Sequence, residues 1–115
     1  KEAIADNMIV ETAYLKVRGN VGNKAKINTK EVLIEGQTHK NSIINSDKAY
    51  INIHKGKLIS KEAEIDRLEG GFIKGRKVKV NQAIGGRVVA EEVEVNMLGS
   101  HVKITALKEI KIKRL

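Results

Sequence analysis

Apolar and polar residues alternate with a period of two along most of this chain, in short stretches broken by glycine and small polar residues. Nine triplets of the form apolar, any, apolar stand out: Leu15-Lys16-Val17, Ala25-Lys26-Ile27, Val32-Leu33-Ile34, Ile51-Asn52-Ile53, Ala63-Glu64-Ile65, Val78-Lys79-Val80, Val93-Glu94-Val95, Val102-Lys103-Ile104 and Ile110-Lys111-Ile112. The middle residue is charged in seven of the nine, and alternation sends those charges to the face opposite the aliphatics. Each triplet therefore predicts a short strand with one side buried and one side in water. Between them lie GNVGN at 19–23, HKG at 54–56, EGG at 69–71, IKG at 73–75, GG at 85–86 and LGS at 98–100, which read as turns. Only 58–69, LISKEAEIDRLE, has a competing helical reading, with Leu58, Glu62, Ile65 and Leu68 at helical spacing. Ala63-Glu64-Ile65 continues the strand pattern there, and strand is the expectation.

A weak internal repeat decides how such strands assemble. VRGNVGNKAKINT at 17–29 lies over IEGQTHKNSIINS at 34–46, matching Gly19 with Gly36, Ile27 with Ile44 and Asn28 with Asn45 at an offset of 17. Short one-sided strands fit either a sandwich of hairpins or a solenoid of stacked coils. Repetition in register favours the solenoid: a coil has no core of its own, and like residues bury one another only when coils stack. The expected fold is all-β, a right-handed parallel β-helix of about four to five coils, with Ile27 on Ile44, Gly19 on Gly36 and an asparagine ladder at 28 and 45. At a strand spacing of roughly 4.8 Å the rod would be on the order of 20 Å long. Residues 1–115 form a single domain on this reading, expected to be a piece of a longer protein.

Composition supports thin aliphatic layers. Aromatics make up 3% of the 115 residues, so the core must be Ile, Val, Leu and Ala, and proline, which would interrupt strand ladders, is absent. The absence of cysteine excludes disulfides, thiolate metal sites and a thiol nucleophile. No apolar run reaches the length of a membrane-spanning helix, so no membrane insertion is expected.

Net charge is +8, which raises the prospect of a polyanionic partner. Residues 1–57 carry 10 basic and 6 acidic groups and residues 58–115 carry 12 and 8, with Lys and Glu interleaved throughout. With no basic block and few aromatic platforms, a mixed solvated surface is preferred to a nucleic-acid footprint. The densest positive group, Lys74, Arg76, Lys77, Lys79 and Arg87, is the candidate patch for an acidic partner.

Catalytic and metal chemistry find little purchase. His39, His54 and His101 are far apart, without a second ligand at suitable spacing, and read as surface residues. Glu62, Glu64, Asp66 and Glu69 resemble the paired carboxylates of sugar hydrolysis only superficially. Interleaved with Lys61 and Arg67, they read as a salt-bridged outer strip. The glycines fit neither a Walker loop nor GxGxxG, and Ser100-His101 does not make a triad. No catalytic residue, cofactor or metal site is expected. The final strand, LKEIKIKRL, would leave an open edge at Ile110 and Ile112, guarded by Lys108, Lys111 and Lys113 if bare; a cap from a longer parent protein is the expected cover, and self-association through that end or the opening coil at 8–17 is the alternative.

VRGNVG, EGGFIKG, AIGGRVVAEEVEV, NMLGS and TALKEIKI, in that order, resemble the β-solenoid region of the flagellar assembly protein A family, formerly a domain of unknown function, over about residues 15–113. Gly85-Gly86 with Ala90 and Glu91, and Leu98-Gly99-Ser100, carry most of the likeness. NTKEV, NSDKA and SKEAE depart from the family's usual turns, which marks a divergent member. The resemblance implies a right-handed parallel β-helix, a cytoplasmic, non-enzymatic role linked to polar flagella, and flagellar or polar-landmark proteins as partners. It brings no catalytic residues. The function expected is a scaffold for protein–protein interaction in flagellar assembly or polar placement. The alternatives are a polymer-forming, bactofilin-like cytoskeletal solenoid and a β-helix that binds polysaccharide or nucleic acid.

Overall fold

The computed structural model describes residues 2–115, in which the strands are β1 (Ile9–Val17), β2 (Lys26–Gln37), β3 (Ile43–His54) and β4 (Lys57–Arg114). They stack in the order β1-β2-β3-β4, every pair parallel, and among the described residues there is no helix. This is the expected β-solenoid. The 58–69 segment is strand throughout, as the alternation of Ala63 and Ile65 requires.

The repeat seen in the sequence is the register itself. Ile27 pairs with Ile44 and Asn28 with Asn45, each 17 residues on, and β1 meets β2 at the same step. Gly36 lies so close to the Gly19 carbonyl, and Gly19 to the Glu2 carbonyl, that a Cβ on either would have no room, which explains why both positions are glycine. Between β3 and β4 the step falls to 14, as in Ile44 with Leu58 and Ile51 with Ile65. Further along β4 it is 15 where Asn81 bonds Asp66 and Asn96 bonds Asn81, and 16 where Gly85 meets His101.

Aliphatic columns fill the interior. Val17, Ile34, Ile51 and Ile65 stack in one, continued by Val80 and Val95; Val10, Ile27, Ile44 and Leu58 stack in another, continued by Ile73 and Val88. A third begins with Ile4 on Val21 and includes Leu68 and Ala83. The core holds no aromatic: Tyr14 and Tyr50 are exposed and Phe72 is half-buried. Truncating a fully buried isoleucine such as Ile65 to Ala costs about 3 kcal/mol in a packed interior.

Two sequence expectations change. The glycines at 69–71, 73–75 and 85–86 do not separate strands, since β4 runs as 58 consecutive extended residues that bend at its corners while the ladder continues. Its winding beyond the part paired with β3 gives a longest dimension of 35 Å, more than the roughly 20 Å expected from the strand spacing.

Candidate interaction surface

Three outer faces alternate with three corners around each coil, and the corners set the coil length. From the core position Val21 to the corner position Ala25, or from Thr38 to Ser42, three residues intervene; from Leu68 to Gly71 and from Ala83 to Gly86 only two do. His54 to Gly56 is tighter still, with Lys55 alone between. A register shift between Ile34 and Gln37 removes one further residue from the next coil.

Polar side chains brace the wide corners from coil to coil. Asp6 accepts from the Asn23 backbone at 2.8 Å, Asn41 donates to the Asn23 side chain at 3.0 Å, and Asn20 accepts from the Gln37 backbone at 2.9 Å. His39, half-buried in this corner, takes the Asn41 N–H on Nδ1 at 3.1 Å.

His54 is not a surface residue. It is fully buried in the third core column, paired in register with Leu68 and bonded to Thr38 at 2.9 Å through Nδ1. The Thr38 hydroxyl accepts the N–H groups of Lys55 at 2.9 Å and Gly56 at 3.2 Å, so its own hydrogen goes to His54 Nδ1. That places the ring proton on Nε2, which donates to the Phe72 carbonyl at 3.3 Å. Burial in this apolar column pushes the His54 pKa down to about 4, against smaller opposing contributions from backbone bonds to Phe72 and Gly56, and keeps the ring neutral. The wide corner at 39–41 swings away from the tight one at 54–56, and the Thr38 hydroxyl supplies the acceptor that a stacked carbonyl would otherwise provide. Sequence reasoning missed this site because Lys55 and Gly56 made His54 look like part of an exposed turn.

The face formed by 31–35, 48–52, 62–66, 77–81 and 92–96 is acidic overall, with seven carboxylates to three lysines. Glu31, Lys48 and Glu62 stand in register, Lys77 and Glu92 continue that column, and Lys48 approaches Glu62 to 4.0 Å. Lys77 and Lys79 lie side by side here, between Glu62 and Glu64 on one neighbouring coil and Glu92 and Glu94 on the other. Within the acidic strip Arg67 meets Glu69 at 2.6 Å and Asp66 accepts from Asn81 at 3.1 Å, whereas Lys61 turns to Asp47, outside the strip, at 3.7 Å. An open groove of about 640 Å³ on this face runs past Leu33, Tyr50, Asn52 and Asn81.

The five candidate patch residues thus do not form one patch. Lys77 and Lys79 occupy this acidic face, Arg76 lies beside them, and Lys74 and Arg87 belong to the face that follows the glycine corners. There Arg87 sits over the Phe72 ring, 5.8 Å from its centroid.

At the C-terminal end Ile110 is 44% and Ile112 41% exposed, with Leu107 and Leu115 more so. Lys108 and Lys113 fold back to Glu91 at 3.1 Å and Glu94 at 3.7 Å on the preceding coil, leaving these aliphatics bare. Among the described residues no group of three His, Asp or Glu side chains could hold a metal ion, and no helix is long and apolar enough to cross a membrane. No protein-family model, curated protein or solved structure matches the chain.

Proposed function

We propose that this chain is a non-enzymatic scaffold, a stiff rod that offers its side faces and its C-terminal end to protein partners. The observation that carries this reading is the set of aliphatic columns running coil on coil through a body 35 Å long, which commits the interior to stiffness and leaves recognition to the outside. Assignment of that scaffold to bacterial flagellar assembly or polar placement rests on the resemblance of 85–91 and 98–100 to the flagellar assembly protein A family. Cross-linking in cells that carry the chain, followed by identification of the linked proteins, tests it: flagellar or polar components should be recovered. Recovery of a small-molecule turnover activity from the purified chain, with no protein cross-links, would overturn it.

The bare Ile110 and Ile112 favour a second reading, end-to-end polymerisation. Sedimentation across a concentration series should then show growing assemblies that Ile110→Asp and Ile112→Asp abolish. A monomer at every concentration would remove the polymer reading and leave the scaffold intact.

A further inference from the structure

The net charge of this protein is confined to one side of the rod. Register pairs Lys26 with Ile43 and Ile43 with Lys57, and backbone bonds continue this edge, Lys57 N–H to the Ser42 carbonyl and Phe72 N–H to the Gly56 carbonyl. Gly86 lies against Gly71, and His101 against Gly85, so 22–28, 39–45, 55–59, 70–74, 85–89 and 101–105 are successive levels of one corner and the face beside it. The first levels carry Lys24, Lys26 and Lys40, the middle ones Lys55, Lys57 and Lys74, and the last ones Arg87 and Lys103. None of the six segments contains Asp or Glu. These eight account for the whole excess of +8, leaving 14 of the 22 basic residues to balance the 14 acidic ones elsewhere.

Lys55 reaches Glu69 at 3.8 Å on the flank of this face, whereas the other seven have no carboxylate within ion-pair distance among the described residues. Six levels span about 24 Å at the strand spacing. Apolar side chains stand among the cations: Ile59 is 38% exposed, and Ile43, Phe72 and Val89 are half-buried. Seven of the eight cations are lysines, compact point charges on flexible stems instead of bidentate readers of individual phosphates.

We propose that this face docks the rod on an anionic lipid surface, lying along the bilayer without entering it. A sheet face mixing lysine with exposed aliphatics matches the boundary where phosphate headgroups meet acyl chains, while a nucleic-acid backbone offers nothing to Ile59 or Val89. Phe72, covered by Arg87, is not an open platform for base stacking. The docking does not depend on the scaffold role.

Flotation of the full chain with vesicles tests this. The chain should float with equimolar phosphatidylcholine and phosphatidylglycerol, stay in solution with phosphatidylcholine alone, and be released by salt. Each basic residue near an anionic leaflet raises partitioning roughly fivefold. Changing Lys40, Lys55, Lys57 and Lys74 together to Gln should therefore lower it on the order of a hundredfold or more. Changing Lys61, Arg76, Lys77 and Lys79 to Gln removes the same charge from the other side and should lower it far less. Circular dichroism checks that both variants are folded, and single Arg87→Gln should cost roughly fivefold. Equal losses from the two four-site variants, no flotation of the unaltered chain, or tighter binding to duplex DNA at the same phosphate concentration and salt would overturn the proposal.

Discussion

In the coils of β1 to β3, three residues turn the corner from Val21 to Ala25 and from Thr38 to Ser42, and asparagine and aspartate side chains bridge one coil to the next. In β4 two residues turn the corresponding corner, Gly70 and Gly86 adopt φ of 86° and 115°, and the extended backbone runs on through it. Both halves stack the same aliphatic columns, so the core does not dictate coil length. Corner chemistry does: polar side chains support a wide turn, and glycine permits a narrow one. Where the two meet, backbone donors of the narrow corner lose their stacked acceptors, and Thr38 with His54 replaces them.

The narrow corner should be the least tolerant of side chains. Gly86→Val combines a left-handed backbone with contact against the Gly71 backbone, and is expected to cost about 4 kcal/mol in chemical unfolding. Ser42→Ala, at the equivalent wide-corner position, loses only the bond to the His39 carbonyl and should cost about 1 kcal/mol. Similar losses at both positions would end the distinction between the two corners.

Thr38→Val comes next. It strands the N–H groups of Lys55 and Gly56 and the His54 ring, and should cost about 3 kcal/mol, more than His54→Leu, which leaves both backbone donors satisfied.

The junction should also be acid-sensitive. His54 protonates near pH 4 in the fold and near 6.5 when unfolded, so its contribution is complete above about pH 6.5 and declines as pH falls toward 4. At pH 5 the loss is about 2 kcal/mol, and His54→Leu should remove that slope from the stability profile. The smallest effect lies in a wide corner: Lys24, at φ 59°, should gain about 0.5 kcal/mol on replacement by Gly, read as a small rise in melting temperature.

Much of the wide half was legible in the sequence because its coils repeat residues as well as spacing: Ile27 and Ile44, Asn28 and Asn45, Gly19 and Gly36 announce the 17-residue step. In the narrow half the columns keep only character, as in Ile65, Val80 and Val95, and the glycine corners look like chain breaks. The charge segregation was hidden for a related reason. Lys40, Lys57 and Lys74 lie in separate stretches of sequence and converge only when the chain is wound at the correct steps, while the two sequence halves carry equal net charge. His54 illustrates the remaining limit, because a buried polar pair that repairs a mismatch between coils leaves no periodic signal.

Both the change of step and the single basic side depend on register, and the absence of native cysteine allows register to be measured directly. Cysteine pairs at Asn28 with Asn45 and at Asn81 with Asn96 should each close a disulfide under mild oxidation, since adjacent parallel strands bring their Cα atoms to about 5 Å. A pair at Lys79 with Asn96, which preserves the 17-residue step, should not close, its Cα atoms lying about 8 Å apart and beyond bridging range. Efficient bridging of Lys79 with Asn96 in place of Asn81 with Asn96 would contradict the winding described for β4, and with it the convergence of the cations on one face.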